Sequence, residues 1–287
     1  MSAEVAVIVC SRNRADQLSR MLESLRAIET HREWELIIVD SDSTDHTAHV
    51  VAAFATSFPR AVRTVRASGP GLGFARNLGA AATTAPVVLF TDDDCYPAPD
   101  WIEMMTRCFE ESLSLGAVGG RIVLHDARDL PITIQLRTDA VDFPPGSVLV
   151  AGVLQGANVG FRRSALTQVG AFDARMGAGT PFACEDIDVL ARISDAGWTV
   201  RYDPRPVVAH HHGRRTQAEA TRLMHTYDAG RGAFYCKMLV SSPLRVQYAW
   251  HWLRSLRYSD VTVWAREVVG ALRFASVLLR RRGARTP

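Results

Sequence analysis

The sequence predicts an α/β protein: a mainly parallel central sheet with helices on both faces, followed by amphipathic helices. Two observations carry this. Over residues 5–124, short β-branched runs alternate with segments whose apolar residues recur at helical spacing. The runs are continuously apolar rather than alternating, which suits strands buried on both faces. Beyond Gly213 the chain changes character and becomes rich in arginine.

Each element has a local reason. "VAVIVC" (5–10) is a first strand. Residues 15–28 place Leu18, Met21, Leu22, Leu25 and Ile28 on one helical face. "WELIIVD" (34–40) is the second strand. A helix is expected over 43–55, opened by Ser43 and Thr44 before Asp45. "VRTVRA" (62–67) is strand-like, and 71–84 is an alanine-rich helix. "APVVLFTDDD" (85–94) is the fourth strand, and 99–111 is a helix with Pro99 near its start. Residues 117–124 form a further strand. The stretch 125–150, with Pro131, Pro144, Pro145 and Gly146, reads as a meandering connection. A strand and short helix follow over 156–173, and a helix with acids at its start over 184–198. Residues 199–204 read as a short strand and 206–212 as an extended segment. The glycines of "GPGLGF" (69–74) miss the dinucleotide pattern and read as a turn that lets chain segments approach closely.

Composition narrows the class. The 287 residues are 47% hydrophobic and 22% charged, with a net charge of +3. That is ordinary for a globular chain and too weakly basic to point to nucleic acid. Five cysteines without a CxxC pair argue against a disulfide framework or a cysteine zinc site, so a reducing cytosol is expected. The start is a strand rather than a signal peptide, and no charge-free run of about twenty apolar residues is present. We expect a catalytic unit over 1–213 and an arginine-rich helical extension over 214–287.

Asp92, Asp93 and Asp94 end an apolar strand, where like carboxylates repel and desolvation is costly. A divalent cation would turn that repulsion into shared attraction. A solvated, Asp-rich turn is the alternative. Asp40 also ends a strand, and ligands of parallel sheets bind beyond such carboxyl ends. Glu185-Asp186 opens a helix, and adjacent helical residues point about 100° apart, so one of the pair faces any site. In the extended "HHH" segment, His210 and His212 share a face and His211 points away.

Taken in order, Asn13-Arg14, Asp40, Arg76-Asn77, Asp92–Asp94, "GANVGFRRSAL", "CEDIDVLARISDAGW" and "PVVAHHHG" resemble a family 2 glycosyltransferase of GT-A fold over about residues 4–213. The resemblance implies metal-dependent, inverting transfer from a nucleotide-diphosphate sugar to an acceptor hydroxyl. It implies Mn²⁺ or Mg²⁺ as cofactor. Asp94 would be a metal ligand with Asp92, which also lies near the ribose; Asp93 is the ambiguous middle residue. His210 matches the family's downstream metal-binding histidine, and His212 shares its face. Asp40 would read the nucleobase, Arg76 would steady base or diphosphate, and Asn13 and Arg14 would border the donor. Asp186 would be the general base and Glu185 would orient the acceptor. The acceptor stays open between a glycan, a lipid-linked glycan and a small molecule. A sugar nucleotidyltransferase is the rival enzyme, but "CSRNRAD" lacks the glycine-rich loop expected after its first strand. A non-catalytic sugar-binding module is the other rival, but it would need the acidic motifs broken, and they are intact.

Residues 245–287 carry nine arginines against Asp260 and Glu267, a formal +7. An amphipathic helix there suits either peripheral contact with a membrane surface or packing on the catalytic unit.

Overall fold

The computed structural model describes residues 3–283. The elements run β1 (Val5–Ser11), α1 (Ala15–Ser24, continued by one 3₁₀ turn), β2 (Trp34–Asp40), α2 (Thr47–Ser57), β3 (Val62–Arg66), α3 (Leu72–Ala81), β4 (Val87–Asp92), β5 (Cys95–Pro97), α4 (Trp101–Glu111) and β6 (Leu115–Leu124). Then come β7 (Val141–Phe143), β8 (Asn158–Arg162), α5 (Arg163–Gln168), α6 (Glu185–Asp195), β9 (Thr199–His210), α7 (Gln217–Ser241), α8 (Arg245–Leu256) and α9 (Val261–Gly283).

The strands form one sheet in the order β3-β2-β1-β4-β8-β6-β9-β5, with β7 beside β9. β3, β2, β1 and β4 are parallel. β8 runs antiparallel between β4 and β6. Alternate residues of each strand serve opposite cores. Ala6, Ile8, Val88 and Phe90 face α3 and α6; Val5, Val7, Val9, Val87 and Leu89 face α1 and α4. That division is why the strands read as unbroken apolar runs. Gly79 of α3 sits over Ile8, where a Cβ would fall 2.5 Å from its Cγ2, so the helix lies close on the sheet.

Several boundaries differ from expectation. α2 begins at Thr47 because Asp45 turns the chain: its Oδ1 accepts from the Thr47 amide and hydroxyl (3.0 and 2.6 Å), and its Oδ2 from the Ala15 amide at the start of α1 (3.1 Å). The two extended segments over 199–212 belong to one strand, β9, whose pairing with β6 shifts register between Tyr202 and Val207. The shift spans Pro204 and Pro206, which have no N–H to give a ladder. Part of the 125–150 connection is ordered as β7, antiparallel to β9. Gly71 starts α3 at φ 98°, and a Cβ on Gly73 would meet the Asp173 and Met176 carbonyls at 2.7 and 2.8 Å. The close approach expected of these glycines is therefore to the 173–180 loop.

The helical extension has no core of its own among the described residues. Phe234, Met238 and Tyr248 join the core on the α6 face of the sheet. Phe274 of α9 packs edge-on against Phe182, their ring centroids 5.1 Å apart. Lys237 bridges to Asp173 and Asp188, 2.7 Å each. The residues of α9 divide accordingly: Gly270 and Phe274 face inward, while Leu272 and Leu279 face out. Arg285, with the side chains of Arg281 and Arg282, lies outside the described residues.

Candidate active site

The carboxyl ends of β2, β1 and β4 lie side by side. Ser11 is opposite Asp40, and Cys10 is opposite Asp92. After β4 the chain turns at Asp93-Asp94 and returns as β5, antiparallel to β9. Cys95 then pairs with His210, and the His211 amide donates to the Asp94 carbonyl at 2.9 Å. This three-residue ladder brings positions 94 and 210 together.

The turn is buried and closely balanced. Ser11 Oγ donates to Asp93 Oδ2 at 2.7 Å, and Arg14 Nη1 lies 3.0 Å from Asp93 Oδ1. Arg14 Nη2 donates to Asp94 Oδ2 at 2.6 Å. Asp94 Oδ1 lies 3.4 Å from His210 Nε2. Burial pushes the Asp93 carboxyl from an ordinary 3.8 up to about 7, more than Arg14 and Ser11 pull it down. Asp94 is equally buried, yet His210 and Arg14 together hold it well below the usual carboxylate range. Burial acts to lower the His210 imidazole, but the Asp94 carboxylate outweighs it and raises it.

The imidazole orientation tests the fit of a cation. His210 Nδ1 faces the Thr133 carbonyl and hydroxyl oxygens, each at 3.3 Å, and that hydroxyl donates to the Ile132 carbonyl. Nδ1 is therefore assigned the hydrogen, and a neutral ring turns its Nε2 lone pair toward the Asp94 carboxylate. Two acceptors face each other unless a proton or a cation lies between them. A carboxylate suits either Mn²⁺ or Mg²⁺, and the imidazole beside it favours Mn²⁺ over the harder Mg²⁺. Cys95 Sγ belongs to the same cluster, but a soft sulfur donor suits neither of these hard ions. Asp94 and His210 therefore fit a divalent ion.

His212 does not join them. Its Nε2 faces the Leu130 carbonyl at 3.0 Å and its Nδ1 accepts from the Arg214 amide at 3.0 Å, so both nitrogens are occupied. Sharing a face with His210 put the rings 5.2 Å apart but did not turn His212 toward Asp94. Asp126, Asp129 and His211 also cluster, but Arg128 and Arg215 already neutralise the two carboxylates.

Arg76 is not a rim arginine. It is 2% exposed and donates to Asp92 Oδ1 (3.1 Å), Glu185 Oε1 (3.0 Å) and the Gly156 carbonyl (3.1 Å). It ties the acidic turn to the acidic helix instead of reaching outward to a base. Glu185 is buried, and burial raises its carboxyl despite Arg76. Asp92, whose side chain is one-third exposed, meets Arg76 through Oδ1.

Asp186 is half-buried and differently held. Oδ2 accepts from the Gly156 amide at 2.9 Å and Oδ1 from the Ile187 amide at 2.8 Å. Cys184, just before it, stands at φ 77°, a left-handed conformation uncommon for a side-chain-bearing residue, and this sets the entry of α6. The adjacent acids thus separate: Glu185 turns inward to Arg76 and Asp186 stays on the accessible side.

At the end of β2, Asp40 Oδ1 accepts from the Ser43 amide at 3.0 Å, so this carboxylate shapes its turn. Asn13, at φ 52°, accepts from the Thr44 amide at 2.7 Å and ties the β1 loop to the β2 loop. Sequence reading overlooked Ser11, Gly156 and Tyr227. Gly156 acts only through its backbone and has no side-chain signature. Tyr227 of α7 lies near enough to Asp186 and Asp92 that their charges add to burial in raising its phenol.

Residues 6–169 match the sequence pattern of glycosyl transferase family 2. The pre-mycofactocin glycosyltransferase of Mycobacterium tuberculosis is 30% identical over 233 residues, 75% of this chain and 43% of that protein. This chain therefore spans less than half the length of that relative. Among solved structures, the mannosyltransferase PcManGT from Pyrobaculum calidifontis, in complex with GDP-Man and Mn2+, is similar with a TM-score of 0.66 at 18% identity, over 95% of this chain and 80% of that one. Staphylococcus aureus TarS 1-349, in complex with UDP-GlcNAc, is similar with a TM-score of 0.60 at 17% identity, over 86% and 69%. The fold is the GT-A fold of these neighbours.

Proposed function

The chain belongs to glycosyl transferase family 2, and from that premise we propose that it transfers a sugar from a nucleotide-diphosphate donor to an acceptor hydroxyl by a single, inverting displacement. The observation that carries the reading is the Arg76 bridge. It fixes the acidic turn after β4 and the acidic start of α6 at one end of one sheet.

The donor lies across the carboxyl ends of β1, β2 and β4, with Asp40 toward the nucleobase and Asp92 toward the ribose. Asn13 and Arg14 border it. Asp94 and His210 would hold Mn²⁺ or Mg²⁺, which when bound neutralises the departing diphosphate. The similar mannosyltransferase solved with GDP-Man and Mn2+ supports that choice of cofactor. Asp186 takes the acceptor proton: it is accessible, and two backbone amides fix its carboxylate. Glu185 is committed to Arg76, so we assign it to positioning that helix rather than to direct contact with the acceptor. The acceptor is a glycan, a lipid-linked glycan or a small molecule.

The test is product release from a panel of UDP-, GDP- and dTDP-sugars, with EDTA and then with added Mn²⁺. Nucleoside diphosphate released only with metal, with the product inverted at the anomeric carbon, is the expected result. Pyrophosphate release would assign a nucleotidyltransferase, and absence of both turnover and metal-dependent nucleotide binding would assign a binding module.

A further inference from the structure

Ten of the twelve large hydrophobic side chains exposed among the described residues lie between Val240 and Leu279; the others are Leu113 and Leu136. The concentration follows from how α8 and α9 pack. One side of α8 is used inside: Tyr248 is wholly buried, and Trp252 stacks on Tyr235 at 5.3 Å and donates to Glu267 at 2.8 Å. The opposite side presents Val246, Trp250 and Leu253, spaced i, i+4, i+7 and 72%, 68% and 60% exposed. The turn into α9 continues the apolar surface with Tyr258 and Val261.

The exposed charges on this region are predominantly positive. Arg245, Arg254, Arg257, Arg273 and Arg280 are exposed and make no ion pair among the described residues. Arg266 is already paired, 2.7 Å from Asp228. Of the two acids, Glu267 is buried against Arg231 and Trp252, which leaves Asp260 as the exposed one. An apolar stripe with an aromatic residue and unpaired arginines beside it has the form of an in-plane interfacial surface. No helix of the described residues is long and apolar enough to cross a membrane.

We propose that the outward face of α8 and the α8–α9 turn dock on the surface of an anionic phospholipid bilayer. Charge complementarity selects this occupant over a second copy of the chain. A two-fold pairing would set this basic patch against its own copy, whereas lipid phosphates neutralise it. Trp250 and Tyr258 suit the headgroup boundary, where one end of an aromatic side chain is apolar and the other wet. The docking surface stands apart from the acidic site and does not depend on the catalytic reading.

The experiment is flotation of the full chain with phosphatidylcholine vesicles, with and without phosphatidylglycerol. The chain should float with phosphatidylglycerol at low salt, stay behind with pure phosphatidylcholine, and be released by high salt. The double variant Trp250→Glu/Leu253→Glu should lose roughly tenfold or more of the bound fraction, while Leu113→Glu, at an exposed leucine outside this region, floats like the parent. Matching circular dichroism and thermal melts check that the double variant is folded; if it is not, Arg254→Glu/Arg257→Glu should show the same loss. Failure to float with anionic vesicles at low salt would overturn the proposal. So would an equal loss in Leu113→Glu, or a dimer broken by the double variant in a chain that ignores vesicles.

Discussion

Two acidic motifs meet at the end of the sheet, and their surroundings are opposite. In the turn after β4, Asp93 and Asp94 face cationic groups: the Arg14 guanidinium and, when protonated, His210. At the start of α6, the accessible Asp186 is held by neutral backbone amides, and the one cation, Arg76, goes to its buried neighbour Glu185. A carboxylate matched by cations is poised to share a cation. One fixed by amides keeps its orientation toward a proton it could accept. The difference is the ground on which we propose donor and ion for the turn, and the acceptor proton for the helix.

The sharpest way to break this division is Asp186→Asn. It keeps the shape and the Gly156 contact region but removes the proton acceptor. Turnover should fall by roughly 10² to 10⁴, measured as nucleoside diphosphate release, with donor affinity kept. An equal fall from Glu185→Gln with Asp186→Asn silent would exchange their roles.

Next in size is Arg76→Met, which leaves the buried Glu185 carboxylate without its cation. Removing one partner of such a pair costs about 3–5 kcal/mol. Denaturant unfolding should show that loss, and Glu185→Gln in the same background should return part of it. Additive losses would mean that the two residues are not coupled.

A smaller effect comes from Asp93. Its carboxyl is raised from 3.8 to about 7 in the fold. The native state therefore favours the neutral acid. The stability this group contributes is full below pH 4 and is lost as pH rises through 7. Asp93→Asn should narrow the difference in melting temperature between pH 5 and pH 8, in EDTA. The change should be several degrees, since about 1 kcal/mol moves a chain of this size by roughly 2–4 °C. An unchanged difference would show that Asp93 is ionised throughout.

The contrast between the motifs was only half legible in the sequence. β1, β2 and β4 announced themselves through β-branched runs, and their carboxyl-end acids followed from strand geometry. The meeting of Asp94 with His210 depends on β5, three residues long and too short for periodicity to register. The antiparallel insertion of β8 is a tertiary choice that the five residues Asn158–Arg162 do not encode. Arg76 looked like any helical arginine, because burial is a property of its surroundings: Phe90, Phe172 and two acids distant in sequence. Conversely, the histidine alternation was legible and misleading, since the 129–133 segment captures His212. In the extension, amphipathicity was visible but not which apolar residues would be inside; α7 takes Phe274 and leaves Leu272 out.

The division of labour is tested most directly by calorimetric titration of UDP and GDP, with Mn²⁺ or EDTA, into the parent, Asp94→Asn and Asp186→Asn. Parent and Asp186→Asn should bind one of these nucleotides in a metal-dependent way with similar affinity. Asp94→Asn should bind it roughly tenfold or more weakly, with little response to Mn²⁺. Equal weakening in both variants, or metal-dependent binding undiminished in Asp94→Asn, would contradict the assignment of ion and donor to the turn.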